Sequence, residues 1–278
     1  MENMSQQFFA DMGEVPYSEQ GVEPRVMNYL HLHPQYEVYF CFDAVEQHMM
    51  INGKEYRRDT PCVVISPPFF IHSMSSQKSE SFPRMVFYMP ERIIEKFKGQ
   101  YLPERPLNSE CLLISLTDEQ AKSLLPLGRM ISEEGRMQLT SDEKELAMVL
   151  FLSHLFHICD ASRIETVGKF NLYIQNVFRY ISENYMNNIN SETVAEAFSV
   201  SRSKLDRDLR AYTGCTLHEF LDLCRLNKAK ELLSEKQKRS VEEIAFACGF
   251  RNESYFYTFF RKYEGISPLE YRKQFLSN

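Results

Sequence analysis

Apolar and polar positions alternate over short stretches in the first third of the chain. Asn52-Gly53 separates two of these stretches and predicts a tight hairpin, and prolines fall at their edges, where a sheet tolerates them. Such runs of Val, Ile, Tyr and Phe are typical of strands. They span residues 36–42, 47–51, 62–65 and 85–89. The pattern predicts a small antiparallel barrel or sandwich.

The periodicity becomes helical after residue 90. A capping box that begins at Thr117 predicts one helix, and Ser141 is expected to cap a second helix that ends near Cys159. These two helices are candidates for a dimer interface, with packing on the sheets as the alternative interpretation. The polar residues 161–169 are predicted to form a linker.

An internal repeat occupies the last third of the chain. Residues 194–220 align with residues 244–271, with matching small, apolar and glycine positions. Each copy predicts a helix, a short turn and a second helix, which is the plan of a helix-turn-helix. Gly249 is predicted to make the second turn. The residues predicted to cap the four helices are Ser191, Ser201, Ser240 and Asn252.

The second helix of each copy leaves one face free. The first residues of such a helix can contact base edges in a major groove, while basic side chains and helix N-termini suit phosphates. In the first copy the predicted DNA-contacting residues are Arg202, Ser203, Lys204, Asp206, Arg207 and Arg210. In the second copy they are Arg251, Asn252, Glu253, Ser254, Tyr257, Thr258 and Arg261. A solvated helix face is the alternative interpretation of these charges.

Residues 244–250 (IAFACGF), 259–263 (FFRKY) and 265–268 (GISP) resemble the signature of the AraC/XylS family of transcription regulators. The resemblance covers about residues 172–275. It implies an all-helical DNA-binding domain that normally activates and sometimes represses transcription, by contacting promoter DNA and RNA polymerase. Members of the family often carry Arg at the position of Thr258 and a small polar residue at that of Tyr257, which implies weaker base readout by the second copy.

His31, His33, Glu37 and the later His72 resemble the metal pattern of cupin barrels. Imidazole and carboxylate ligands suit Zn, Fe or Mn, so a metal-dependent cupin enzyme is an alternative function. The glycines of the usual cupin motifs are missing, however, and the resemblance to regulators implies a metal-free barrel that binds an effector such as a sugar. We therefore expect no cofactor. The predicted effector-binding residues are His33, Glu37, Tyr39 and His72, with a purely structural role as a further alternative.

Charge and cysteine content refine this interpretation. The net charge of −6 argues against nucleic acid, but residues 1–169 carry −8 and residues 170–278 carry +2. Seven cysteines without a C-x-x-C pair are typical of reduced thiols in the cytoplasm, and no apolar run has the length of a membrane span. The sequence predicts an α+β chain with a cupin-like effector and dimerisation domain (1–160), the linker, and a DNA-binding domain (170–278). A protein-interaction adaptor is the remaining alternative.

Overall fold

The computed structural model describes residues 9–10, 18–21, 27–75, 84–103, 107, 110–131, 139–169, 171–235 and 239–276. The chain divides into two units by its contacts. We call Val15–Gln175 the sheet unit, and Asn176–Asn278 together with Met1–Glu14 the helical unit. The predicted α+β fold class, with strands first and helices last, is confirmed.

The elements up to residue 169 are mostly short strands, and two longer helices precede the last strand. In chain order they are β1 (Phe9–Ala10), β2 (Ser18–Gly21), β3 (Met27–Leu32), β4 (Tyr36–Cys41), β5 (Gln47–Ile51), β6 (Lys54–Arg58), β7 (Cys62–Ser66), β8 (His72–Ser75), β9 (Arg84–Met89), α1 (Glu91–Phe97), β10 (Glu110–Ser115), α2 (Asp118–Ile131), α3 (Ser141–Ile158), a 3-10 turn (Ala161–Arg163) and β11 (Ile164–Lys169).

Two antiparallel sheets build the sheet unit, in the orders β3-β8-β5-β6 and β11-β10-β7-β4-β9-β2. Successive side chains of a strand point to opposite faces, and in β4 this alternation separates two environments. Val38 and Phe40 join the hydrophobic core that α2 and α3 complete, and the rings of Phe40 and Phe151 are 5.4 Å apart. Glu37 and Tyr39 therefore occupy the opposite face of the same buried strand.

The predicted hairpin between β5 and β6 is confirmed. Asn52 and Gly53 both have positive φ angles, of 48° and 74°, and they join strands whose register pairs Ile51 with Lys54. A two-residue turn of this hand matches the right-handed twist of the strands, and Asn and Gly tolerate it best. The turn thus sets the register of the β5–β6 pair.

The two predicted helices are present as α2 and α3. The capping box of α2 is confirmed, because the Gln120 amide donates to Thr117 Oγ1 at 3.2 Å and Gln120 Oε1 accepts from the Thr117 amide at 2.9 Å. The predicted cap of α3, Ser141, is wrong by one residue: Thr140 is the N-cap. Glu143 lies three residues after Thr140, and its carboxylate accepts a hydrogen bond from the Thr140 amide, as a capping box requires.

The structure differs from the linker predicted at residues 161–169. These residues form the 3-10 turn and strand β11, which pairs with β10. Val167 is buried, and its carbonyl accepts a hydrogen bond of 2.6 Å from the Tyr56 hydroxyl. Pairing at a sheet edge uses backbone groups, so the polar side chains of Glu165 and Thr166 can remain exposed. A polar composition therefore does not distinguish this edge strand from a linker.

The helical unit consists of helices of 7 to 18 residues that follow one another closely. They are α4 (Leu172–Asn184), which begins at the end of the sheet unit, α5 (Ser191–Ala197), α6 (Arg202–Thr213), α7 (Leu217–Ser234), α8 (Val241–Ala247), α9 (Glu253–Glu264) and α10 (Pro268–Leu276). The pairs α5–α6 and α8–α9 are the two copies of the predicted repeat, and α7 connects them. Both copies are thus helix-turn-helix units in form.

The helix caps of the two copies agree with the prediction at three of four positions. Ser201, Ser240 and Asn252 each accept a hydrogen bond from the amide three residues later. The fourth prediction, Ser191, is wrong, because Asn190 is the N-cap of α5 and forms a reciprocal pair with Thr193. Asn caps a helix at least as well as Ser. Since cap positions differ by one residue between similar polar stretches, composition alone does not distinguish them.

Gly249 makes the turn of the second unit, as predicted, with a φ of 93°. A Cβ at this position would lie 2.9 Å from the carbonyl oxygen of Met186, which belongs to the backbone and has little freedom to move. Gly249→Ala should therefore lower the free energy of unfolding by about 2–5 kcal/mol, from left-handed strain plus overpacking. Chemical denaturation of the full chain, followed by far-UV circular dichroism, measures this loss.

Gly265→Ala is the matched control, because Gly265 has a φ of 75° and nothing lies within 4 Å of its added Cβ. We expect a loss of only about 1–2 kcal/mol for that variant. Equal losses in the two variants would contradict the close approach of Gly249 to Met186.

The seven cysteines all belong to described residues, and all are buried. Burial raises the pKa of the Cys62 and Cys111 thiols to about 12. Among the helices that the structure describes, none is long and apolar enough to cross a membrane.

Candidate nucleic-acid interface and a buried histidine cluster

Helix α6 exposes a polar, largely basic face. Leu205, Leu209 and Thr213 recur at intervals of four residues and are buried, so that the other side of the helix faces solvent. Among the residues predicted to contact DNA, the exposed ones are Arg202, Ser203, Arg207 and Arg210, and the half-buried ones are Lys204 and Asp206. The whole predicted set therefore lies away from the buried stripe.

Ion pairs distinguish the cations of this face. Arg202 and Lys204 each pair with a carboxylate of the protein. The side chain of Arg207 is 73% exposed, and its Nε lies 3.7 Å from Asp208 Oδ1. Within the described ranges, Arg210 makes no ion pair. Positive charge that an external anion can reach is therefore concentrated at Arg207 and Arg210.

Helix α9 presents a less basic face above its buried phenylalanines. The predicted residues that are exposed are Arg251, Asn252, Glu253, Ser254, Thr258 and Arg261, and Tyr257 is half-buried. The Thr258 hydroxyl donates to the Ser254 carbonyl at 2.9 Å, and the Asn252 side-chain oxygen accepts from the Tyr255 amide at 2.9 Å. Two of the polar groups of this face are thus engaged with the backbone of their own helix.

A buried carboxylate joins the second unit to the connecting helix. Asp222 of α7 is only 1% exposed. Its oxygens accept from the Tyr255 hydroxyl of α9 at 2.6 Å and from Arg225 Nη1 at 3.1 Å, and His218 Nδ1 lies 3.2 Å away. Arg225 also donates to the Tyr185 carbonyl at 2.8 Å. One side chain therefore links α7 to the start of α9, and its partner reaches the segment that follows α4.

This network was not predicted from the sequence. Asp222 stands in the otherwise apolar stretch 220–224, with His218 four residues before it and Arg225 three residues after it. That spacing on one helix face was the available signal for an internal ion pair. The contact with Tyr255, however, joins residues far apart in the chain. The network lines a cleft of about 350 Å³, which Arg202 and Arg251 also line.

Three polar side chains of the sheet unit form a separate buried cluster, composed of His33, Glu37 and His72, which we call the histidine cluster. Their exposed fractions are 2%, 1% and 0%. His33 Nε2 lies 3.1 Å from Glu37 Oε2, and His72 Nε2 lies 3.1 Å from Glu37 Oε1. The carboxylate therefore stands between the two imidazoles. Three of the four residues predicted to bind an effector are brought together here.

The other ring nitrogen of each histidine faces a backbone carbonyl. His33 Nδ1 lies 3.0 Å from the Gln35 oxygen, and His72 Nδ1 lies 2.8 Å from the Phe70 oxygen. Burial by itself lowers the pKa of His72, but the Glu37 carboxylate and the hydrogen bonds outweigh burial and raise that pKa above its usual value. The cluster is thus a site where positive charge is favoured.

Tyr39, the fourth predicted effector-binding residue, makes a different contact. It is buried, and its hydroxyl donates to Gln47 Oε1 at 3.2 Å. Tyr88 instead packs edge-on against the ring of His33, with centroids 5.0 Å apart. The side chain of His31, which the sequence associated with the same site, lies outside the described part of the structure.

Comparison with known proteins bears on the two helix-turn-helix units first. A family model described as a helix-turn-helix domain matches residues 194–274. An HTH-type transcriptional regulator in the cgkA 5′ region of Pseudoalteromonas carrageenovora is 37% identical over 116 residues, which are 42% of this chain and 68% of that protein. The chain belongs to the AraC/XylS family of transcription regulators. This is a family of regulators and not of enzymes.

Further relatives of the regulator are found in Escherichia coli. The HTH-type transcriptional regulator YijO of strain K12 is 34% identical over 143 residues, which are 51% of this chain and 50% of that protein. The HTH-type transcriptional activator RhaS is 28% identical over 179 residues, which are 64% of this chain and 60% of that protein. The chain thus spans about half to two thirds of the length of these curated relatives.

The fold of the regulator is similar to that of solved ToxT structures from Vibrio cholerae. An apo form of ToxT has a TM-score of 0.55 at 14% identity, with 92% of each chain covered. ToxT bound to an unsaturated fatty acid has a TM-score of 0.53 at 15% identity, with 92% of this chain and 90% of that chain covered. These likenesses support the arrangement of strands followed by helices.

Proposed function

We propose that the regulator binds specific promoter sequences with both helix-turn-helix units, and that α6 and α9 each enter a major groove. The observation that carries this proposal is the duplication itself. The same pair of helices occurs twice, each second helix is capped by a polar side chain and ended by a left-handed glycine, and each has an exposed polar face. Helix α7 has 18 residues and is therefore about 27 Å long, comparable with the ~34 Å between successive grooves on one side of DNA.

The two recognition helices have unequal tasks in this proposal. Arg207 and Arg210 make α6 the better reader of guanines, because a guanidinium can bind the two acceptors of a guanine edge. On α9, the Thr258 hydroxyl is already used within the helix, and Arg251 and Arg261 suit phosphates. The second unit would then contribute mostly to affinity and to the placement of the protein along the DNA. The first unit would contribute most of the sequence preference.

The sheet unit is the proposed receiver of a small-molecule signal. The histidine cluster is a buried polar site among aromatic side chains, and the RhaS and ToxT likenesses are consistent with a regulator of this plan. ToxT has been solved with a fatty acid, and a sugar is the other candidate class for this chain. An effector must bind one arrangement of the protein better than another to change DNA affinity. Equal operator affinity with and without every candidate molecule would count against this part.

Dimerisation and contact with RNA polymerase complete the proposal. Helix α3 carries Leu146 and Leu150, four residues apart and 57% and 53% exposed, so that they form an apolar stripe outside the core. A second copy of the chain is the proposed occupant of that stripe. A molar mass of one chain by light scattering would contradict the dimer, and unchanged transcription in a purified polymerase assay would contradict the polymerase contact.

Selection from a pool of random duplex DNA tests the proposed function. We expect the purified chain to enrich a motif with two groups of conserved base pairs about one helical turn apart. If the protein binds as a dimer, the whole motif should occur twice in each selected sequence. Affinity should fall steeply with salt because bound phosphates release counterions. A single short patch would contradict base readout by α9. Absence of any salt-sensitive binding, with or without candidate effectors, would contradict the DNA-binding function.

A further inference from the structure

The histidine cluster has no role in contacting DNA, and its chemistry is specific. Each Nδ1 faces a backbone carbonyl, at 3.0 Å for His33 and 2.8 Å for His72. Since a carbonyl can only accept a hydrogen bond, each Nδ1 carries the proton. In the neutral form of each ring, Nε2 is then an acceptor with a lone pair.

Both lone pairs point at the same carboxylate. The Nε2 atoms lie 3.1 Å from the two oxygens of Glu37, which are themselves acceptors. Acceptors this close repel one another unless a proton or a metal ion lies among them. This repulsion is removed either by protons, carried on the imidazoles or on the Glu37 carboxyl group, or by a metal ion that takes both nitrogens and the carboxylate as ligands.

The observed distances are those of hydrogen bonds, and they also fit a bound metal ion. Ligand atoms about 2.1 Å from one ion, with bonds about 90–110° apart, lie about 3.0–3.4 Å from each other. The two nitrogen–oxygen separations of 3.1 Å fall in that range, and one ligand atom from each residue lies within 4.8 Å of the others. Metal-binding histidines also characteristically donate the second ring nitrogen to a carbonyl or carboxylate, as His33 and His72 do here.

We propose that His33, Glu37 and His72 bind a divalent transition-metal ion through the two Nε2 atoms and the carboxylate. Two imidazoles and one carboxylate, without a thiolate, suit Zn²⁺ or Fe²⁺. Three protein ligands leave at least one coordination position open. The inference goes beyond the proposed function, because it requires neither DNA nor a known effector, and it departs from the sequence-based expectation that the barrel is metal-free.

Metal content of the full chain provides the test. Bound metal is removed from the protein with a chelator, the protein is dialysed against Zn²⁺, and its metal content is measured by inductively coupled plasma mass spectrometry. We expect about one equivalent per chain, with a higher melting temperature of the loaded protein. Co²⁺ should replace Zn²⁺ and give the visible absorption of a low-symmetry nitrogen–oxygen site, which reports the ligands without any variant.

Two variants locate the ion. His72→Gln should weaken Zn²⁺ binding at least about tenfold. His48→Gln is the matched control, because His48 is also buried beside carboxylates, but its Nδ1 and Nε2 face different ones, Glu55 at 3.1 Å and Glu46 at 3.5 Å. That variant should keep the full metal content.

Two results would overturn the proposal. Equal metal content in the wild type and both variants would mean adventitious binding elsewhere on the chain. Absence of Zn²⁺ and of a Co²⁺ spectrum in the wild type would mean that protons alone hold the cluster together. Because these measurements use no DNA, their outcome is independent of the DNA-binding proposal.

Discussion

Arg207→Ala should weaken binding to the selected operator by about 5- to 150-fold, which corresponds to about 1–3 kcal/mol. Arg207 is more exposed than Arg202 and Lys204 of the α6 face, with 73% of its side chain exposed and a single carboxylate at 3.7 Å. A bidentate contact with a guanine would account for a loss of this size, and it would also relax the preference for that base pair. Titration of labelled operator and mutated duplexes measures both effects.

Arg57→Ala is the charge-matched control for this experiment. Arg57 is 62% exposed and lies in the sheet unit, so its removal changes the net charge equally without altering α6. We expect it to leave operator affinity nearly unchanged. If Arg207→Ala weakens binding to all duplexes by the same factor, Arg207 contacts phosphate. If Arg207→Ala leaves operator affinity as unchanged as Arg57→Ala does, the Arg207 side chain does not contact DNA.

Asp222→Ala should lower the free energy of unfolding of the helical unit by about 3–5 kcal/mol. The variant leaves the Arg225 guanidinium and the Tyr255 hydroxyl without their shared carboxylate. It also removes the link that holds the start of α9 against α7, so we expect weaker operator binding even where the unit remains folded. Denaturation by urea, followed by far-UV circular dichroism, measures the stability.

Two milder variants separate the contributions to this network. Tyr255→Phe removes only the hydroxyl and should lower the free energy of unfolding by about 1.5–3 kcal/mol, the range for a hydrogen bond to a charged group. His218→Ala should have little effect, because the His218 side chain is 76% exposed. If Asp222→Ala is as stable as His218→Ala, the carboxylate does not join α7 to α9.

Features set by local chemistry could be predicted from the sequence. The Asn52-Gly53 turn, the cap at Ser201 and the left-handed glycine after α6 each depend on a few neighbouring residues. The repeat could be detected because both copies pack in the same way and therefore need small, apolar and glycine residues at the same positions. Even so, caps at Ser141 and Ser191 were placed one residue late, since several polar residues in a row can all accept an amide hydrogen bond.

Features set by distant contacts could not be predicted. Strand β11 looked like a linker because its apolar content is low and its stability comes from pairing with β10. The hydroxyl of Tyr255 meets Asp222 only after α7 and α9 have packed. The sequence likewise identified His33, Glu37 and His72 as a group. The tautomers of the two histidines and their shared contact with Glu37, however, depend on how β3, β4 and β8 pack in the folded unit.

The turns of the two helix-turn-helix units also differ in the residues that they can accept. Ser199 occupies the turn of the first unit with a φ of 53°, and Gly249 occupies the turn of the second with a φ of 93°. A glycine can replace the serine with little steric consequence, whereas no side chain fits between Gly249 and the Met186 carbonyl. The turn of the first copy therefore accepts the glycine of the second, but the turn of the second copy does not accept the serine of the first. The backbone after α4 causes this difference, although the two copies look equivalent when their sequences are aligned.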